Sequence, residues 1–165
     1  MYFWDLYVNG FCSSSAIDYR IRRILLRLAG LKLDSHTAIH NNCYISGKKL
    51  ILKKGSYINR NCTMDCANAH IEIGSDVGIG YNCCLFTTNH DYSTSTKRTG
   101  NVIAKDIKIK DGSWIGGGVT ICPGVTVGKG CVIAAGSVVV KDCEPNGVYG
   151  GNPAKLIMKL EEKDD

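Results

Sequence analysis

Along this chain an aliphatic residue returns at every sixth position. Counting from Ile109, the series runs through Ile115, Ile121, Val127, Ile133 and Val139. Upstream, Ile73, Ile79 and Leu85 keep the interval, as do Ile39, Ile45 and Ile51. Leu52, Ile58 and Met64 keep it again after a shift of one residue. Six is neither a helical period nor a simple alternation, but it is a multiple of two. Every marked residue can therefore lie on one side of an extended chain. Glycine follows several of the marks, at Gly74, Gly80, Gly116 and Gly128, which suggests a short flat strand and then a corner. Three such strands make a triangular coil of about eighteen residues, and stacked coils bury the marks along an axis. The pattern predicts an all-β fold, a parallel β-helix of roughly four to five coils over residues 35–144.

The two ends depart from the rhythm. Residues 1–34 begin with the aromatic stretch MYFWDLYVNG and continue into a predicted helix over 15–30, SAIDYRIRRILLRLAG. Ile17, Ile21, Ile24, Leu25 and Leu28 form one stripe of that helix. Ser15 with Asp18 reads as a capping box and Gly30 as a stop. Arg20, Arg22, Arg23 and Arg27 occupy much of the rest. The stripe predicts a helix plugging the open end of the coil. The alternative is a basic amphipathic helix lying on a membrane surface. Residues 145–165 are expected to fold back as a second cap, with the tail ending in solvent.

The rhythm also stops inside the coil, between Leu85-Phe86 and about Ile107. The intervening TTNHDYSTSTKRTGN is polar and carries His90 near its start. A stiff coil has its side chains in the core or in water, so an extruded loop at about 87–106 is where chemistry can be added. His90 stands at the root, where the strand can fix it. A histidine near neutrality is the usual base for a hydroxyl proton. With no nucleophile elbow in the chain, a covalent intermediate has no candidate.

Composition changes this picture only in detail. The nine cysteines are odd in number and contain no C-x-x-C pair. Cys43, Cys62, Cys83 and Cys131 each fall two residues before a mark, in a slot held elsewhere by Val77, Ser113, Val125 and Ser137, so they read as small core residues. The net charge of +5 is mild and its basic residues are not interleaved with aromatics, which argues against nucleic acid and suits a small polyanionic ligand. With no apolar run of membrane-spanning length and no basic leader, a cytoplasmic protein is expected.

The Ile-Gly hexads, the run WIGGGVTICPGVTVGKGCVIAAGSVVVKD and the closing GGNPAK resemble the left-handed β-helix hexapeptide acyltransferases. The likeness covers about residues 35–157 and is nearest to the sugar O-acetyltransferases, both the galactoside and maltose enzymes and those that modify capsule or exopolysaccharide units. The resemblance implies a homotrimer with sites between neighbouring coils, using acetyl-CoA and no metal. It implies that His90 deprotonates a sugar hydroxyl that attacks the thioester directly. It places Asn59, in the pattern Asn59-Arg60-Asn61-Cys62, at the acceptor, with Asp65 matched one position early. Main-chain groups at Gly117 and Ala135 would line the coenzyme groove, Lys141 and Lys155 would lie near its phosphates, and Trp114 along its pantetheine arm. A short aromatic segment in place of a longer helical region, and Asp91 where proline often follows the histidine, look more like the polysaccharide-modifying branch.

Three other readings use the same scaffold. A zinc-dependent carbonic anhydrase needs three convergent histidines. Here His36, His40 and His70 are the others, and the close pair His36 and His40 lies far along the axis from His90. A non-catalytic scaffold would need neither the loop histidine nor the Asn-x-Asn-Cys pattern. N-acetylation of an amino sugar, or of an antibiotic, would use the same base and donor.

Overall fold

The computed structural model describes residues 2–161. Five coils are built from strands of two or three residues. The first holds β1 (Lys32–Leu33), β2 (Ala38–Ile39) and β3 (Tyr44–Ile45), and the second β4 (Leu50–Leu52), β5 (Tyr57–Ile58) and β6 (Thr63–Asp65). The third holds β7 (Ile71–Ile73), β8 (Gly78–Ile79) and β9 (Cys84–Phe86). A hairpin, β10 (Thr88–His90) and β11 (Val102–Ala104), then leaves the coil. The fourth holds β12 (Ile107–Ile109), β13 (Trp114–Ile115) and β14 (Thr120–Ile121), and the fifth β15 (Thr126–Val127), β16 (Val132–Ile133) and β17 (Val138–Val139). Strands β18 (Gly147–Gly151) and β19 (Ala154–Lys159) follow.

Each strand pairs in parallel with its counterpart one coil away, so the chain winds through three faces. Face A is β1-β4-β7-β12-β15 and face C is β3-β6-β9-β14-β17; face B is β2-β5-β8-β13-β16, extended by β18 and then β19. This is a parallel β-helix. In-register pairing stacks like on like: Ile58 on Ile79, Ile79 on Ile115, Ile115 on Ile133. Those side chains are fully buried, and so are the slot residues Cys62, Cys83, Cys131, Val77 and Ser137. All nine cysteines are free thiols.

The glycines after the marks answer to crowding. A Cβ on Gly80 would stand 2.6 Å from the Gly117 nitrogen, and one on Gly116 2.7 Å from the Ala135 nitrogen. Backbone of the next coil occupies the space a side chain would need.

Two expectations about the pattern need correction. Ile51 is only half-buried, whereas Leu50 and Leu52 are fully buried, so the series that runs through Ile45 continues at Leu52, a step of seven. The extra residue lies at the corner between faces C and A. The same corner stretches the step from Met64 to Ile73, and expands fully between Leu85 and Ile109, where the hairpin leaves. Irregularity is confined to one edge of the prism.

The helix also differs. It is α2 (Tyr19–Leu28), preceded by a short helix α1 (Tyr2–Trp4) that runs into a π-helical stretch over Asp5–Phe11. Asp18 itself is the cap, its carboxylate accepting from the Arg20 N–H at 2.9 Å, so the box with Ser15 does not form. Gly30 does end the helix, at φ +100°. The expected stripe splits: Leu25 is half-buried against the core, whereas Ile21, Ile24 and Leu28 face outward and Leu26 and Arg22 take the inward positions. A guanidinium that satisfies four carbonyls outcompetes the aliphatic stripe for the inward position. After the coil, β19 folds back antiparallel on β18. The last four residues of the expected solvent tail lie outside the described residues.

Candidate active site

The hairpin is anchored at its root by Asp65. The Thr87 hydroxyl donates to the Asp65 carbonyl at 2.6 Å. The two carboxylate oxygens accept from the Thr88 N–H at 3.0 Å and from the Ser46 hydroxyl at 3.1 Å. Two residues beyond this anchor comes His90, paired with Val102 across the hairpin. Past it the chain is closed by Asp91 N–H to the Asn101 carbonyl at 2.8 Å and Gly100 N–H to the Asp91 carbonyl at 3.0 Å. This loop brings the Gly100 carbonyl to 3.2 Å from His90 Nδ1.

That contact decides the tautomer. A carbonyl oxygen only accepts, so Nδ1 carries the proton, and in the neutral ring Nε2 is the nitrogen that keeps the lone pair. His90 is exposed and borders a pocket of about 160 Å³ shared with Asn89, Tyr92, Ile103, Lys105 and Pro123. Asp91 does not orient the ring: its carboxylate accepts from the Ser93 N–H at 2.9 Å, and hydrogen bonds to Ser93 hold its pKa below the usual range.

A second group of residues lies at the other end of the face C strands, on the corner between faces B and C. Asn59, Gly117 and Ala135 all sit there, in the second, fourth and fifth coils. The corner has a repeating bond pattern. The residue after each mark donates to the mark of the next coil, as Gly80 N–H does to Ile115 and Gly116 N–H to Ile133. The third residue donates backward, as Gly118 does to Tyr81 and Gly136 to Gly117. Among the described residues the intermediate N–H groups, at Gly117 and Ala135, meet no acceptor. One is on a half-buried glycine and the other on an exposed alanine one coil on, so they form a short row of available donors whose own side chains are minimal.

Lys155 stands near the end of that row. It pairs with Gly150, which lies against Ala134. Trp114 is on the adjoining face B, 55% exposed, between Gly78 and Val132. Lys141 is elsewhere, beyond β17 at the corner between faces C and A. Within one chain, then, Asp65 and His90 come together, and Gly117, Ala135 and Lys155 come together. A face C strand separates the two groups. The sequence reading missed the Gly100 carbonyl and Lys105. Gly100 reaches His90 through hairpin register ten residues on, a pairing with no local signal.

Comparison with known proteins fits this architecture. Residues 106–141 match the family described as bacterial transferase hexapeptide (six repeats). A Staphylococcus haemolyticus protein named "Putative acetyltransferase SH0499" is 40% identical over 149 residues, 89% of this chain and 76% of its own length. The chain belongs to the hexapeptide-repeat acetyltransferases. Within that family, the crystal structure of a maltose O-acetyltransferase from Clostridium difficile 630 superposes with a TM-score of 0.87 at 32% identity, covering 98% of this chain and 86% of the other. A Vibrio cholerae hexapeptide-repeat acetyltransferase complexed with acetyl-CoA gives 0.83 at 31% identity, over 94% and 84%. The match spans only 50–60% of the length of family members from Saccharomyces cerevisiae, Schizosaccharomyces pombe and Dictyostelium discoideum.

Proposed function

We propose that this protein transfers the acetyl group of acetyl-CoA to a hydroxyl of a sugar or glycan unit, with His90 as general base. The observation that carries the proposal is the His90 geometry: an exposed ring held through Nδ1 by the Gly100 carbonyl, on a side chain that borders a pocket, which leaves Nε2 as the basic nitrogen. His90 Nε2 takes the proton as the acceptor oxygen attacks the acetyl carbon. The protonated imidazole returns that proton to the departing sulfur as the carbon–sulfur bond breaks, so no acyl-enzyme forms.

The donor row at Gly117 and Ala135 suits a narrow chain bearing amide carbonyls, such as a pantetheine arm. Trp114 would flank it and Lys155 would supply a point charge for a phosphate, whereas Lys141, on the corner that bears the hairpin, would reach the same phosphates only from a neighbouring copy. Asn59 would hold the acceptor, while Asp65 serves by fixing the hairpin root. Because the two groups lie at opposite edges of face C, we further propose a homotrimer in which the hairpin of one copy meets the corner row of the next. The coil is taken to be left-handed, as the family resemblance implies, and the protein to act in the cytoplasm on cell-surface polysaccharide precursors or free sugars.

The test is thiol release from acetyl-CoA across sugars, nucleotide sugars and amino sugars, for wild type and His90→Ala. Turnover with a hydroxyl acceptor that falls about a hundredfold or more in the variant is expected. An amine as the only accepted nucleophile would convert the assignment to N-acetyl transfer. Undiminished activity in His90→Ala would remove the histidine from the chemistry.

A further inference from the structure

The N-terminal cap turns a continuous apolar surface outward. In α2, Ile21, Ile24 and Leu28 are 56%, 56% and 76% exposed, and in the preceding segment Phe3 and Leu6 are 82% and 72% exposed. Phe3, Leu28 and Ile24 are joined through two hollows. Leu28 shares a pocket of about 290 Å³ with Phe3, Trp4, Tyr7 and Lys48, and borders the next hollow with Ile24 and Arg27. The rings of Phe3, Tyr7 and Phe11 stack along it at centroid separations of 5.9 and 6.3 Å.

The orientation is enforced from inside. Arg22, only 2% exposed, donates to the carbonyls of Cys12 at 2.6 Å, Ser14 at 2.6 Å, Ile17 at 2.7 Å and Ile39 at 3.1 Å. With that guanidinium locked inward, residues one and two positions away on the helix, Ile21 and Ile24, must point out. The rim is cationic. Arg20 and Arg27 are exposed, and Lys48 lies with its ammonium 5.9 Å from the Trp4 ring centroid. The nearby carboxylates are engaged, Asp18 with the helix start and Arg20, and Asp5 with the Asn9 amide.

We propose that this face docks on an anionic phospholipid bilayer. Aliphatic and aromatic side chains ringed by arginine and lysine match the boundary between acyl chains and phosphates, where the cations reach headgroups while the apolar atoms enter. Charge also selects the occupant. A second copy meeting this face through a two-fold contact would set Arg20, Arg27 and Lys48 against cations of its own kind. Among the described residues no helix is long and apolar enough to cross a membrane, so the contact is peripheral.

The experiment is co-sedimentation of the full chain with vesicles of phosphatidylcholine alone, and with about a third phosphatidylglycerol, at low and high salt. Wild type is expected to pellet with the anionic vesicles. Binding should weaken about tenfold in Arg20→Glu/Arg27→Glu and in Ile24→Asp/Leu28→Asp, and should also fall with salt. Unchanged melting temperatures would show that both variants fold; if the apolar pair does not, the charge-reversed pair decides. Wild type remaining in the supernatant with every vesicle overturns the proposal, as does equal pelleting of all three proteins. A change in assembly mass with Ile24→Asp/Leu28→Asp would give the face to a second copy instead, and so also overturn it.

Discussion

At the scale of single residues, three stacked corners show how much one dipeptide can specify. Asn42-Cys43, Asn61-Cys62 and Asn82-Cys83 recur at the corner between faces B and C. The asparagines adopt left-handed backbone at φ 59°, 61° and 58°, a conformation that asparagine tolerates better than most side chains. The cysteine that follows turns inward, and each thiol donates to a carbonyl of the next coil at 3.1 Å. Two members of the Asn-x-Asn-Cys pattern, Asn61 and Cys62, are thus accounted for by the corner, leaving Asn59 as the position open to function. The buried thiols elsewhere carry a pH consequence. Burial pushes Cys66 up to about 11 and Cys143 up to about 12, from an ordinary value of 9.0. Above pH 9 the unfolded chain has released protons that the folded chain retains. Stability should therefore hold below pH 9 and decline as pH climbs from 9 towards 12. Melting temperature against pH, compared between wild type and Cys66→Ala/Cys143→Ala, checks this. A shallower decline in the double variant is expected, and identical slopes would assign the loss to other groups.

At the scale of elements, α2 and the hairpin are each held by a contact far from where their effect is felt. Arg22→Ala would leave buried carbonyls without a donor and loosen the seat of α2. A loss of about 3 kcal/mol in urea unfolding is expected. Arg22→Lys should recover little of it, since one ammonium cannot reproduce the planar fork. In the hairpin, a Cβ on Gly100 would stand 2.6 Å from the Asp91 carbonyl oxygen. Gly100→Ala must shift the turn, and with it the carbonyl that holds His90. The expected result is a fall in kcat of about tenfold or more with little change in KM for acetyl-CoA or in melting temperature. A proportional loss of stability would mean that the turn matters to folding rather than to the ring. Neither contact was legible beforehand. Ile21, Ile24 and Leu28 of the α2 stripe pointed to the wrong face because periodicity cannot report that an arginine has four buried acceptors waiting.

At the scale of the whole molecule, the β-helix is a ruler with one irregular edge. Extra residues enter only at the corner between faces C and A, so the hairpin and its base project from one edge while the row of bare N–H groups runs along another. The proposed homotrimer, in which hairpin and corner row would come from different copies, makes a mixing test possible. His90→Ala and Gly117→Trp should each be inactive alone. Co-refolded as a mixture, they should regain up to about a quarter of the wild-type rate, from contacts where an intact hairpin meets an intact corner. No recovery would place both half-sites within one copy's own reaction path. The sequence by itself determined the coil, its core columns and the site of the interruption. Those follow from a period of six that only stacked, same-sided strands can satisfy. It also singled out His90, because a titratable side chain at the root of an extruded loop is visible in one dimension. Tertiary structure alone decided which way α2 faces, which atom fixes the imidazole, and which corner carries unpaired donors. Each of these depends on backbone carbonyls and amides brought together from distant coils or across a hairpin, groups that every residue carries and no sequence pattern marks.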